Sequence, residues 1–202
     1  NAAMPDLLIA TNNAGKVREL RALLASLPEV RLLTPAELGL ALEPDETGSS
    51  YADNAAIKAR AFAQAAGLPA LADDSGLEVA ALNGVPGVHS ARYSPQPDAN
   101  DADRRQYLLQ QLAALGQPQP WTARFVSVVC LAFPDGTAHF AEGECRGEII
   151  PHERGSGGFG YDALFVVEGT GKTMAELSFE DKNQLSHRAR AVQGLRARLA
   201  LL

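Results

Sequence analysis

Apolar and polar positions along the chain fall into blocks that predict interleaved strands and helices. Residues 7–10 (LLIA) are a short apolar strand. After the polar run 11–16, Val17, Leu20, Leu24 and Leu27 recur at helical spacing, and Pro28 closes that helix. Ser50 and Asp53 form a capping box for a helix over Tyr51–Ala66, which Gly67 and Pro69 end. The stretch ALADDSGLEV (70–79) is expected as a short strand, a turn and a second strand, with Leu77 and Val79 on one face. Residues 83–87 (NGVPG) are loop. A helix starts within 98–103 and buries a stripe of Leu108, Leu109, Leu112 and Leu115 before Gly116 and Pro118. Two longer strands, 122–133 and 137–150, flank Pro134-Asp135-Gly136, a hairpin signal. A glycine-rich loop (155–160), a strand over 163–167 and a short helix near 174–179 follow. The last helix starts at Ser186 and buries Val192, Leu195 and Leu199. Helices and strands that alternate, with a hairpin between, predict an α/β protein with a mixed sheet rather than a pure βαβ series.

Length allows one generous domain or two small lobes. Residues 1–3, ahead of Met4, are set aside as a cloning remnant, and 4–202 is expected to be a single domain. With 46% apolar and 21% charged residues and no low-complexity run, the composition is that of a folded protein. The longest apolar runs, such as 128–133, fall far short of a membrane span, and no secretory leader is visible. Eighteen basic against 24 acidic residues give a net charge of −6. That argues against sequence-independent nucleic-acid binding, though not against a single nucleotide held where a few basic groups converge. Cys130 and Cys145 make no metal or disulfide pattern, so a reducing cytoplasm is the expected compartment.

Two phosphate-loop patterns fail on context. Residues 155–160 satisfy G-x-G-x-x-G, but an apolar strand follows where a dinucleotide fingerprint needs a helix. Residues 169–173 resemble the tail of a P-loop, yet Val166 stands where the motif needs glycine.

Other segments carry candidate chemistry. Thr11, Asn12, Asn13, Ala14, Gly15 and Lys16 run from a strand end to a helix start. Such a segment offers backbone N–H donors and one cation, as a phosphate site or as an ordinary βα loop. Glu46 precedes a helix that carries Asn54 and Lys58 on one face. Asp73 and Asp74 point to opposite faces if they lie within a strand, or together toward a cleft at a strand end. With Glu46 they suit a hard cation such as Mg²⁺; the alternative is a plain D-D-S-G turn. Phe159-Gly160-Tyr161-Asp162 offers a stacking platform for a base. Lys182 and Ser186-His187-Arg188 can aim donors one way, or serve as caps and surface charge.

Together these segments resemble the inosine triphosphate pyrophosphatase family, the dITP/XTP pyrophosphatases of non-standard purine nucleotides. The shared motifs are T-N-N-A-G-K (11–16), E-T-G (46–48), N-A-x-x-K-A-R (54–60) and A-D-D-S-G-L-x-V (72–79). G-x-P-G-V-x-S-A-R-Y (84–93), G-S-G-G-F-G-Y-D (155–162) and K-x-x-x-S-H-R (182–188) continue the series. Asn12 departs from the glycine common in bacterial relatives. The resemblance implies an elongated, two-lobed α/β fold, a central mixed sheet flanked by helices, a substrate cleft between the lobes, and a homodimer. It implies Mg²⁺-assisted hydrolysis of a nucleoside triphosphate to monophosphate and pyrophosphate. Lys16, Lys58, Asn13 and the loop amides would hold the triphosphate, and Ser75 would touch the substrate. Asp74 would accept the proton of the attacking water and bind metal with Glu46 and Asp73. Phe159 and Gly160 would form the base platform, with Tyr161, Asp162, Lys182, His187 and Arg188 lining the pocket. Donors there suit a 6-oxo purine and oppose adenine's amino group. A Maf-like pyrophosphatase of different base preference and an inactive nucleotide sensor are the competing readings.

Overall fold

The computed structural model describes residues 3–27 and 29–202; Pro28, expected to close the first helix, and residues 1 and 2 lie outside the described residues. The strands are β1 (Asp6–Ile9), β2 (Arg31–Leu33), β3 (Ala70–Val79), β4 (Trp121–Ala132), β5 (Ala138–Ile149) and β6 (Phe165–Val167). They form one sheet in the order β2-β1-β3-β4-β5-β6. β1 pairs in parallel with β2 and β3, setting Leu8 opposite Leu33 and Ala70. β5 and β6 are antiparallel, so the sheet is mixed, as the interleaved pattern predicts. The helices are α1 (Ala14–Leu24), α2 (Tyr51–Ala66), α3 (Asp101–Leu115), α4 (Phe179–Leu185) and α5 (His187–Leu199). Among the described residues no helix is long and apolar enough to cross a membrane.

Two compact units divide the chain. The first holds the chain through Asp74, Ser127–Gly143 and Arg188–Leu202. Its strands are buried on both faces, which is why they read as continuous apolar runs. On one face Leu7, Ile9, Leu71, Val129 and Leu131 pack with Leu20 and Leu24 of α1 and Val192, Leu195 and Leu199 of α5. On the other, Leu8, Ala10, Ala70, Ala72, Val128 and Cys130 meet Ala55, Ala59, Phe62 and Ala63 of α2. Successive strand residues thus go to different helices, the period-2 rule at work.

The second unit comprises Ser75–Val126 and Glu144–His187. Leu77, Val79, Trp121, Phe125, Ile149, Leu164 and Phe165 pack with Leu108 and Leu112 of α3. Asn100 and Asp103 complete a capping box at the start of α3.

Several expectations change. Residues 70–79 form one unbroken strand with no turn at the two aspartates. Leu115, expected in the buried stripe of α3, is 51% exposed, because the last turn runs past the core that holds Leu108 and Leu112. The helix expected near 174–179 begins instead at Phe179, where the Ser178 hydroxyl accepts a hydrogen bond from the Asp181 amide. Asp162–Leu164 is a 3-10 turn, so the strand expected from 163 starts at Phe165. β2, only three residues long, escaped periodicity altogether.

Candidate active site

The same alternation decides where the two adjacent carboxylates go. Asp73 follows Leu71 onto the α1/α5 face, and Asp74 follows Ala72 onto the α2 face. Asp73 Oδ2 lies 2.8 Å from Lys16 Nζ and 3.2 Å from Arg188 Nη2, and its Oδ1 accepts a hydrogen bond from the Ser127 hydroxyl. Asp74 Oδ1 lies 3.5 Å from Lys58 Nζ. Although the carboxylates part, the ammoniums reconverge. Lys58 Nζ donates to the Asp73 carbonyl oxygen at 2.8 Å, and Lys16 Nζ reaches the same oxygen at 3.5 Å. Lys58 also pairs with Glu46 Oε1 at 2.7 Å.

Asp73, Asp74, Lys16 and Lys58 all titrate away from their ordinary values. Burial would raise the Asp73 carboxyl, but the charges of Arg188 and Lys16, with hydrogen bonds from Lys16 and Ser127, hold it well below the usual carboxylate range. Asp74 moves the other way. Burial pushes its carboxyl up, and the neighbouring Glu46 and Asp73 add to that against the opposing pull of Lys58 and Lys16. Burial lowers Lys16, helped by Lys58 and Arg188. Lys58 is raised, since Asp74, Glu46 and Asp73 together outweigh its burial. Two neighbours in sequence therefore have opposite characters: an anchor ionised at neutral pH and a carboxylate inclined to take a proton.

Local structure positions the lysines. Asn13 caps α1, its Oδ1 accepting from the Lys16 amide at 3.0 Å, and Thr11 Oγ1 accepts from the Asn13 amide. Asn12 donates to the Leu42 carbonyl at 3.1 Å. Asn12, Asn13 and Ala14 are exposed; Thr11, Gly15 and Lys16 are half-buried. On α2 the buried Asn54 accepts from the Gly48 amide at 2.8 Å and so ties down the segment bearing Glu46. A Cβ on Gly48 would lie 2.5 Å from that of Asp53, which is why a glycine stands there.

Arg188, expected at the base, is buried in the first unit between Glu19 Oε1, 3.0 Å from its Nη1, and Asp73. The sequence reading missed both Glu19 and Ser127. A lone serine within the apolar run 125–132 was a usable signal for Ser127. Nothing in the spacing marked Glu19, a buried acid beside Leu20.

In the second unit, Lys182 Nζ lies 2.6 Å from Asp162 Oδ2 and 4.8 Å from the centroid of the Phe159 ring. The same Asp162 oxygen accepts from the Phe159 amide at 3.1 Å. A Cβ on Gly158 would meet that oxygen at 2.1 Å, so glycine is needed for the loop to close over the pair. Tyr161 is buried, and its hydroxyl donates to the Ser90 carbonyl at 2.7 Å. His187 stacks on Phe125 with ring centroids 4.7 Å apart. Ser75 is half-buried on β3, directly after Asp74.

The chain is thus an α/β protein with a mixed six-stranded sheet, a buried carboxylate–ammonium cluster in one unit and an aromatic, glycine-rich loop in the other. It belongs to the Ham1 family, whose model matches residues 7–198. A dITP/XTP pyrophosphatase of Deinococcus deserti is 50% identical over 191 residues, covering 95% of this chain and 88% of that one. One from Thermus thermophilus is 50% identical over 189 residues, covering 94% and 89%. The structure of a HAM1 protein from Coxiella burnetii matches with a TM-score of 0.87 at 39% identity, over 98% of this chain and all of that one. The Staphylococcus aureus Ham1 protein matches at 0.82 and 39%, over 96% and 97%.

Proposed function

We propose that the chain hydrolyses non-standard purine nucleoside triphosphates (dITP, ITP, XTP) to the monophosphate and pyrophosphate. The observation that carries this reading is the meeting of Lys16 and Lys58 at one carbonyl beside Asp74. Asp74 is a carboxylate of raised proton affinity. Two ammoniums, one of them from the first turn of α1, suit phosphate oxygens, whose charge otherwise repels an attacking water. The names of the relatives, dITP/XTP pyrophosphatase, point the same way.

In the proposed reaction Lys16, Lys58 and the amides at the start of α1 bind and orient the phosphates. Water oxygen bonds to the α-phosphorus, its proton passes to Asp74, the α–β bridging P–O bond breaks, and pyrophosphate leaves. A carboxyl with raised pKa is a better proton acceptor than an ordinary one. The donor set also fits a divalent cation. Asp74 Oδ2 is buried with no hydrogen-bond partner among the described residues, and Glu46 stands on the same lysine. Among the described residues no three acidic, His or Cys side chains converge as a complete ligand set. Mg²⁺ suits this, since it is commonly held by one or two carboxylates with water and substrate phosphates completing the sphere. Asp74 and Glu46 would hold it. Asp73, its oxygens engaged by Lys16, Arg188 and Ser127, anchors cations instead. Bound there, the cation would neutralise phosphate charge.

Base recognition is assigned to Phe159, Lys182 and Asp162, with His187 at the start of α5. Lys182 offers a donor to a 6-oxo group, and adenine would present a donor to it. A homodimer in a reducing cytoplasm completes the proposal. The test is pyrophosphate release from dITP, XTP, dATP, dGTP and dTTP with Mg²⁺. Preference for dITP and XTP is expected, and Asp74→Asn should lose turnover while still binding dITP. Preference for dTTP, orthophosphate as the product, or a fully active Asp74→Asn variant would refute it.

A further inference from the structure

The loop that carries Phe159 and Tyr161 turns at Gly160, in the left-handed region at φ 60. Both backbone polar atoms of Gly160 are gripped by side chains from the first two turns of α3. Asp101 Oδ2 accepts from the Gly160 amide at 2.9 Å, and Arg105 Nη1 donates to the Gly160 carbonyl at 2.7 Å. These residues lie 59 and 55 positions away in sequence. Each is itself held: Asp101 pairs with Arg104 at 2.7 Å, and Arg105 pairs with Glu153 just upstream of the loop. The capping of α3 is already supplied by Asn100 and Asp103. Loop backbone normally turns its polar atoms to water, so two charged side chains spent on one glycine mark a position that must not drift.

We infer that Asp101 and Arg105 are positioning residues for base selection, clamping Gly160 so that the Phe159 ring and Lys182 keep a fixed spacing. The inference rests on the proposed function of the same loop. On one side of the clamp Phe159 lies under Lys182, and on the other Tyr161 is pinned to Ser90. Loosening Gly160 lets the ring shift relative to a lysine that Asp162 keeps in place. Discrimination between bases that differ in one hydrogen-bonding group depends on that spacing; binding of the phosphates does not.

The test uses Arg105→Ala and Asp101→Ala, with Asp101→Asn as the conservative variant that retains an acceptor oxygen. One readout is the ratio of kcat/KM for dITP over dATP, taken beside the inhibition constant of inorganic triphosphate. The other is hydrogen exchange of the amides in 155–161. We expect the ratio to fall about three- to tenfold in the two alanine variants, the size of one ordinary hydrogen bond, because the clamp reaches the base only through the loop. Inorganic triphosphate should inhibit as before, exchange at Gly160 should quicken, and Asp101→Asn should recover most of the ratio. An unchanged ratio in folded variants overturns the assignment, as does unchanged exchange, or an equal loss of affinity for inorganic triphosphate. A native chain that turns over none of these nucleotides refutes the proposed function instead, and exchange then decides on the clamp alone.

Discussion

Asp73 and Asp74 share a peptide bond yet stand on opposite sides of an energetic divide. The folded pKa of Asp73 lies below its ordinary value of 3.8, so its ionised form stabilises the fold at neutral pH. That contribution is lost only as pH falls through the depressed folded value. Replacing it leaves Arg188 and Lys16 buried without their counter-charge. Asp73→Asn should therefore cost about 3–5 kcal/mol at pH 7, the usual penalty for breaking a buried ion pair. The folded pKa of Asp74 lies above 3.8, so its ionised form detracts from stability at neutral pH. Asp74→Asn should hold or raise the Tm at pH 7, and the difference should vanish below the unfolded value of 3.8. Thermal unfolding of both variants across pH 3–7 checks the pair; a larger loss for Asp74→Asn than for Asp73→Asn would reverse the assignment of anchor and acceptor.

At the scale of elements, close approach matters more than propensity. β5 and β6 pair with Gly147 opposite Val167. A Cβ on Gly147 would lie 2.1 Å from the Val166 carbonyl and 2.8 Å from the Phe165 ring. Neither neighbour is the loose end of a flexible chain, so the strands must separate. Gly147→Ala should destabilise by about 1–3 kcal/mol, as overpacking does, measured by denaturant unfolding; an unchanged midpoint would mean that the pairing tolerates a methyl. Elements were legible where they span several turns or repeats. α1 and α5 show their apolar stripes in the sequence, and Leu20, Leu24, Val192, Leu195 and Leu199 are all buried as those stripes predict. β2 and α4 were not, because three and seven residues hold too little periodicity to separate from chance.

Over the whole molecule a net charge of −6 coexists with a local gathering of Lys16, Lys58 and Arg188 among Asp73, Asp74, Glu46 and Glu19. Global charge therefore says nothing about the ligand, which meets only the local field. The thiols follow from burial in the same way. Cys130 and Cys145 are 0% and 2% exposed, and burial pushes the Cys130 thiol up to about 11. Neither should react measurably with a thiol reagent at pH 8 in the native chain, and both should react once it is unfolded. A rapid native-state titration of either thiol would show that its unit opens.

The sequence by itself determined the alternation of strands and helices, the mixed sheet and the motifs that place the chain in its family. These are local signals, carried by residues a few positions apart. It also held the rule that sends Asp73 and Asp74 to opposite faces, provided that 70–79 is one strand. The tertiary structure decided that it is. It also decided that Arg188 serves Glu19 and Asp73 across 169 and 115 residues, that Ser127 completes the anchor, and that α3 grips Gly160. Such pairings depend on which surfaces packing brings together, and a buried charge takes as partner whatever counter-charge the fold delivers to it.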